Sequence, residues 1–108
     1  MRANMAYTKI SKNLPLNSNR ALRDLVSVGP KTVLDFHSLG IRNIAQLAKS
    51  KPGTLYRKLC NLRRQRIDPC CLDVFSAAVA QARNPRLPPE QRAWWYWSRQ
   101  RKAKAAAK

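Results

Sequence analysis

Apolar residues recur along this chain at intervals of three and four, the spacing of one helix face. Leu22, Leu25 and Val26 fall at i, i+3 and i+4 and predict a short helix beginning near Arg20. Val33, Phe36 and Leu39 or Ile41 line a second, with Gly40 placed to end it as a left-handed C-cap. Asn43 can cap a third, which puts Ile44, Leu47 and Ala48 on one side. The run Ser50-Lys51-Pro52-Gly53 breaks that helix and opens a fourth, which carries Leu55, Tyr56, Leu59, Cys60 and Leu62. Asp68-Pro69 signals the start of a fifth, in which Leu72, Phe75, Val79 and Ala82 recur at helical spacing. Strand-type alternation is absent. The pattern predicts an all-α fold, a compact bundle of about five short helices.

The flanks read differently. Residues 1–19 show no sustained period and are expected to form a flexible leader. Asn84 to Pro89 turns on three prolines, and Glu90 to Trp97 is expected to add one helical turn that caps the domain with Trp94 and Trp97. Residues 98–108 form a low-complexity Arg/Lys/Ala run, expected to be disordered on its own. The domain is thus placed at residues 20–97.

Charge sharpens the picture. Twenty-two Lys and Arg against five Asp and Glu give a formal net charge of +17, a strong self-repulsion unless a polyanion offsets it. Nucleic acid is the first partner this implies. No apolar run approaches the roughly 18 residues of a membrane span, and the N-terminus lacks an apolar signal core, so a cytoplasmic protein with no membrane partner is expected. Three cysteines, two of them adjacent at Cys70 and Cys71, do not make a disulfide framework and fit a reducing compartment.

The turn from Leu25 to Val33 carries the most specific chemistry. Pro30 fits the first position of a helix, and Gly29 can take the positive φ that a tight turn between helices often needs. The open N–H groups and positive dipole end of that helix attract an anion, and Lys31 adds a full charge. A phosphate is the natural candidate, and the alternative is a turn that only joins two helices.

Taken as a pattern, Leu22-x-x-Leu25-x-Ser27-Val28-Gly29-x-x-Thr32-Val33 resembles the helix-hairpin-helix motif of DNA repair and recombination proteins. Leu39-Gly40-Ile41-Arg42-Asn43-Ile44-Ala45-Gln46-Leu47 resembles the segment that follows this motif, in folds related to sterile-alpha-motif-like bundles. Leu55-Tyr56-Arg57-Lys58-Leu59-Cys60, Asp68-Pro69-Cys70-Cys71-Leu72-Asp73-Val74-Phe75 and the Pro- and Trp-rich end are similar to the pathogenicity locus family, often labelled mitomycin resistance proteins. The resemblance spans roughly Arg20 to Trp97. It implies a helix-hairpin-helix bundle whose hairpin holds phosphates of duplex DNA without reading sequence, through Ser27, Gly29, Lys31 and Thr32. The chain departs from the motif at Ser27, where the hairpin usually carries Gly, and a hydroxyl stands in its place.

A second basic surface is expected from Arg57, Lys58, Arg63, Arg64 and Arg66, although a charge run on a helix is usually just a solvated face. Arg99, Arg101, Lys102, Lys104 and Lys108 would add sequence-independent affinity. Trp94, Trp95, Tyr96 and Trp97 invite base stacking, but the reading preferred is that they cap the core and leave one or two rings outside. Cys60, Cys70, Cys71 and His37 could in number supply zinc ligands. Their spacing contains no C-x₂₋₄-C pair, so no metal and no cofactor is expected, and burial as small hydrophobes is preferred. Cys70 lies near a helix start, where a thiol pKa can fall.

No phosphate-cradling Gly-rich loop, nucleophile elbow or spaced carboxylate pair appears, so the protein is expected not to be an enzyme. The function expected is non-sequence-specific binding of double-stranded DNA, accessory to DNA repair or maintenance. The alternative is a protein-protein adaptor that uses the bundle and the Trp cluster. Structured RNA also suits the charge, and nothing in the sequence sets the oligomeric state.

Overall fold

The computed structural model describes residues 20–107. Five α-helices account for most of them and no strand occurs among them: α1 (Pro30–Ser38), α2 (Ile44–Ala48), α3 (Pro52–Arg63), α4 (Cys70–Arg83) and α5 (Trp94–Ala107). Short 3-10 turns at Leu22–Asp24 and Pro89–Arg92 precede α1 and α5. The expected leader lies outside the described residues.

Local chemistry sets most of the boundaries. Pro30 and Pro52 open α1 and α3 at positions whose N–H has no intrahelical acceptor. The Asn43 side chain accepts the Gln46 N–H at 2.8 Å, and the Gln46 side chain accepts the Arg42 N–H at 2.6 Å, which fixes the start of α2. Asp68 caps α4 by accepting the Cys70 N–H at 2.8 Å.

Gly40 ends α1 at φ +83°. Its N–H donates to His37 O, and the Ile41 N–H donates to Phe36 O at 2.8 Å, the paired bonds of a Schellman stop. Arg64 closes α3 in the same left-handed way at φ 54° without the help of glycine.

Helix α4 is the centre of the molecule, with α2, α3, α5 and the second 3-10 turn packed around it. Phe36 of α1 meets Phe75 of α4 with ring centroids 5.1 Å apart, and Leu22, Leu25, Val28, Ile44, Leu47, Leu55 and Leu59 close the core around them. Each such side chain contributes about 1.5–3 kcal/mol by leaving water.

Two expected elements differ. The helix predicted from Arg20 is only the 3-10 turn Leu22–Asp24. Leu25 is already extended, and the chain turns at Ser27 with φ 73°, a backbone state that no helix contains. The turn sends Val28 into the core and leaves Val26 46% exposed, the reverse of what the spacing suggested for Val26. At the other end, α5 runs unbroken from Trp94 to Ala107 where a single turn and a disordered tail were expected. Ala, Lys and Arg all favour helix, and Arg101 pins the segment to α4 through a bidentate ion pair with Asp73.

Candidate nucleic-acid interface

The turn before α1 is built by residues far away in sequence. The Gln81 side chain, on the buried face of α4, accepts the Val26 N–H at 2.9 Å and donates to the Val26 carbonyl at 3.0 Å. It also donates to Ala77 O at 3.1 Å and Arg92 O at 3.4 Å. The Arg20 guanidinium donates to the Gln81 carbonyl at 2.9 Å. One buried amide thus fixes the first half of the turn against both α4 and the chain leading into α5.

Ser27 completes the clamp. Its hydroxyl accepts the Trp94 N–H at 3.0 Å and donates to Arg92 O at 3.5 Å, capping α5 from across the fold. The hydroxyl is therefore committed to α5. The left-handed φ at Ser27 is the conformation for which a glycine would be the default, so this chain trades backbone ease for a side-chain bond.

Gly29 does not take the positive φ expected of it. It is the N-cap of α1 in extended backbone, φ −100° and ψ −177°, which any residue adopts. A Cβ there would meet nothing within 4 Å, so the space beside Gly29 is open. The first bond into the helix runs from the Val33 N–H to Gly29 O at 3.0 Å. Among the described residues the N–H groups of Gly29, Lys31 and Thr32 have no acceptor. Lys31 is exposed and in no ion pair there, so three backbone donors and one full positive charge share a single turn.

Beside this turn opens a cleft of about 760 Å³, lined among others by Arg20, Arg23, Pro30, Leu34, His37 and Arg42. Among the described residues no carboxylate lines it. Four of the five acidic residues are used elsewhere: Asp24 accepts the Ala21 N–H at 2.8 Å, Asp68 accepts the Cys70 N–H at the start of α4, and Asp35 and Asp73, both buried, hold arginines.

Those two ion pairs correct the expected basic surface. Arg63 bonds Asp35 at 2.5 Å and ties the end of α3 to α1, and Arg101 bonds Asp73 at 2.9 and 3.0 Å. Neither guanidinium is a spare phosphate ligand. Arg57 only brushes Thr54 at 3.4 Å. Lys58, Arg64, Arg66 and Lys102 are exposed and in no ion pair among the described residues, while Arg99 lies over the Trp95 ring at 4.6 Å. The remaining cations thus sit on α3, the segment after it and α5 rather than in one strip.

Cys70 and Cys71 are not activated. The Cys70 thiol sits at a helix start, yet its hydrogen bond to the Asp68 carboxylate raises its pKa, and the Cys70 backbone N–H, followed by that thiol, lowers the pKa of Asp68. Burial pushes Cys71 up to about 11. Among the described residues no three His, Cys, Asp or Glu side chains are grouped to hold a metal ion, and no helix is long and apolar enough to cross a membrane.

Fold and turn together define a small, strongly basic all-α protein whose first helix start is buttressed from the C-terminal half. The chain belongs to the pathogenicity locus family, whose model matches residues 16–103. It is 41% identical over 81 residues to the mitomycin resistance protein McrB of Streptomyces lavendulae, an alignment that covers 75% of this chain and 73% of that protein. No solved structure matches it.

Sequence reasoning placed Ser27, Gly29, Lys31 and Thr32 on one turn, and the structure keeps them there. It missed Gln81, whose only signal was a polar residue on the apolar face of the fifth predicted helix, between Val79 and Ala82.

Proposed function

We propose that this protein binds double-stranded DNA without sequence preference, holds backbone phosphates at the turn before α1 in the manner of a helix-hairpin-helix, and serves as an accessory to DNA repair or maintenance rather than as an enzyme. The observation that carries this reading is the set of three N–H groups, on Gly29, Lys31 and Thr32, that have no acceptor among the described residues, beside the Lys31 charge. Phosphate oxygens satisfy such donors, and contacts of this kind position a duplex without reading its bases. The carboxylate-free cleft next to the turn favours the same polyanion. The Ser27 hydroxyl acts indirectly, by holding the turn to α5.

Gly29→Val combined with Lys31→Glu tests it. The extended backbone at Gly29 accepts Val without strain, and the new side chain enters space that is empty in the fold and needed by a phosphate. By fluorescence anisotropy of the full chain, the double variant should bind duplex DNA several-fold more weakly with its far-UV circular dichroism unchanged. Equal affinity in a folded variant would sink the proposal. Engaging about 4 phosphates gives a log–log salt slope near about −3.6 for duplex DNA, so a flat salt response would refute the electrostatic part. Parallel titrations with duplex RNA and single-stranded DNA separate this reading from a general affinity for polyanions. An adaptor would show neither the slope nor the dependence on Lys31.

A further inference from the structure

Most of the described aromatic side chains are used inside the fold. Phe36 and Phe75 are fully buried, the Tyr56 hydroxyl donates to Ile67 O, and the Trp97 indole N–H donates to Gln91 O at 2.8 Å. Trp94 and Trp95 are left 38% and 44% exposed at the first turn of α5. Contiguous apolar surface exposed in this way, unlike single scattered residues, marks an interaction site.

Their position is specific. The Trp94 backbone N–H is bonded to Ser27 Oγ, and Gln81 ties Val26, itself 46% exposed, to Arg92 O. Trp94 therefore starts beside the turn proposed to hold phosphate. Arg99, one turn along α5, places its guanidinium carbon 4.6 Å from the Trp95 ring centroid and makes no hydrogen bond among the described residues, so its donors are available to a ligand. Between Pro88 and Ala107 the chain carries five cations, of which Arg101 is paired with Asp73, against the single carboxylate of Glu90, which favours a polyanionic partner.

We propose that Trp94, with Val26 beside it and the stacked pair Trp95–Arg99 next along, is a platform for unpaired nucleobases of a strand that continues from the bound duplex. The protein then prefers DNA with an unpaired tail or gap over a blunt duplex. This rests on the reading of the turn before α1 as a phosphate site. Every base offers a π-face, so the platform is tolerant of sequence, and the Arg99 guanidinium adds a cation at the strand's backbone.

The test titrates the full chain with a labelled blunt duplex and with the same duplex extended by an oligo-dT tail, read by anisotropy and by intrinsic Trp emission. The tailed duplex should bind at least about 5-fold more tightly, the lower end of what one base stacked on an aromatic ring contributes, and should quench the emission. Trp94→Ala should lose that preference and most of the quenching while it keeps the affinity for the blunt duplex, and Trp94→Phe should restore part of both. Equal affinity for the two DNAs, or a tail preference that survives Trp94→Ala, overturns the platform. If Gly29→Val/Lys31→Glu leaves all binding unchanged while Trp94→Ala still abolishes the tail preference, the platform stands and the phosphate reading of the turn falls.

Discussion

Replacing Gln81 by Leu is the sharpest test of how the turn is made. The side chain is 5% exposed, and Leu fills nearly the same space, so the change isolates the hydrogen bonds from the packing. The Ala77 carbonyl keeps its place in the helical ladder. The Val26 N–H at 2.9 Å and the Val26 carbonyl at 3.0 Å lose their partner, and the longer contact to Arg92 O at 3.4 Å goes with them. At about 1 kcal/mol for each of the two close bonds, and with water able to reach the surface at Val26, the loss comes to about 2 kcal/mol. For a domain of this size that is a fall in Tm of roughly 8–16 °C. Thermal and urea unfolding followed by far-UV circular dichroism measure it, and duplex affinity should drop as the turn loosens. If Gln81→Leu unfolds within about 0.5 kcal/mol of the parent chain, the amide does not hold the turn and the argument fails.

Ser27→Ala should destabilise more than Ser27→Gly in urea unfolding. Both lose the bond that caps α5, but only Gly relieves the left-handed backbone, and the gap should be about 1 kcal/mol. Arg101→Met leaves the buried Asp73 carboxylate without its partner and should cost about 3 kcal/mol or more by the same measurement, whereas Lys102→Met, in no ion pair, should leave stability alone and flatten the salt dependence of DNA binding. Cys71 makes stability fall on the alkaline side. Its thiol pKa is raised from 9.0 to about 11, so its contribution is full below pH 9 and is lost as pH rises toward 11, and Cys71→Ala should shrink the fall seen in denaturation at pH 8 and pH 11.

The helix starts at Pro30, Asn43, Pro52 and Asp68 and the left-handed stop at Gly40 were all legible, because each depends on residues within one turn of the event. Proline geometry, side-chain caps and glycine freedom act locally. What was not legible is pairing over long separations. Arg63 and Asp35 lie 28 residues apart, as do Arg101 and Asp73, and their charges looked like solvent-facing surface until the fold brought them together. The same holds for Gln81, 55 residues from Val26, and for Ser27, 67 from Trp94. The first predicted helix failed for a local reason with a distant cause: Ser27 accepts an awkward backbone because α5 rewards it with a bond. Helix α5 was misjudged because its propensity is only marginal until Arg101 docks.

Closure of the turn by Arg92, Trp94 and Gln81 also has a consequence for biosynthesis. As the chain leaves the ribosome, the segment around Val26 and Ser27 emerges long before the residues that fasten it, and loops of more than fifty residues must close before those bonds form. Helices α1 to α3 are synthesised while α4 and α5 are still missing, with Phe36, Leu47 and Leu59 unburied. The turn proposed to grip DNA is thus among the last parts of the molecule to be assembled, and a chain stalled before Trp94 would carry the turn's residues without its shape.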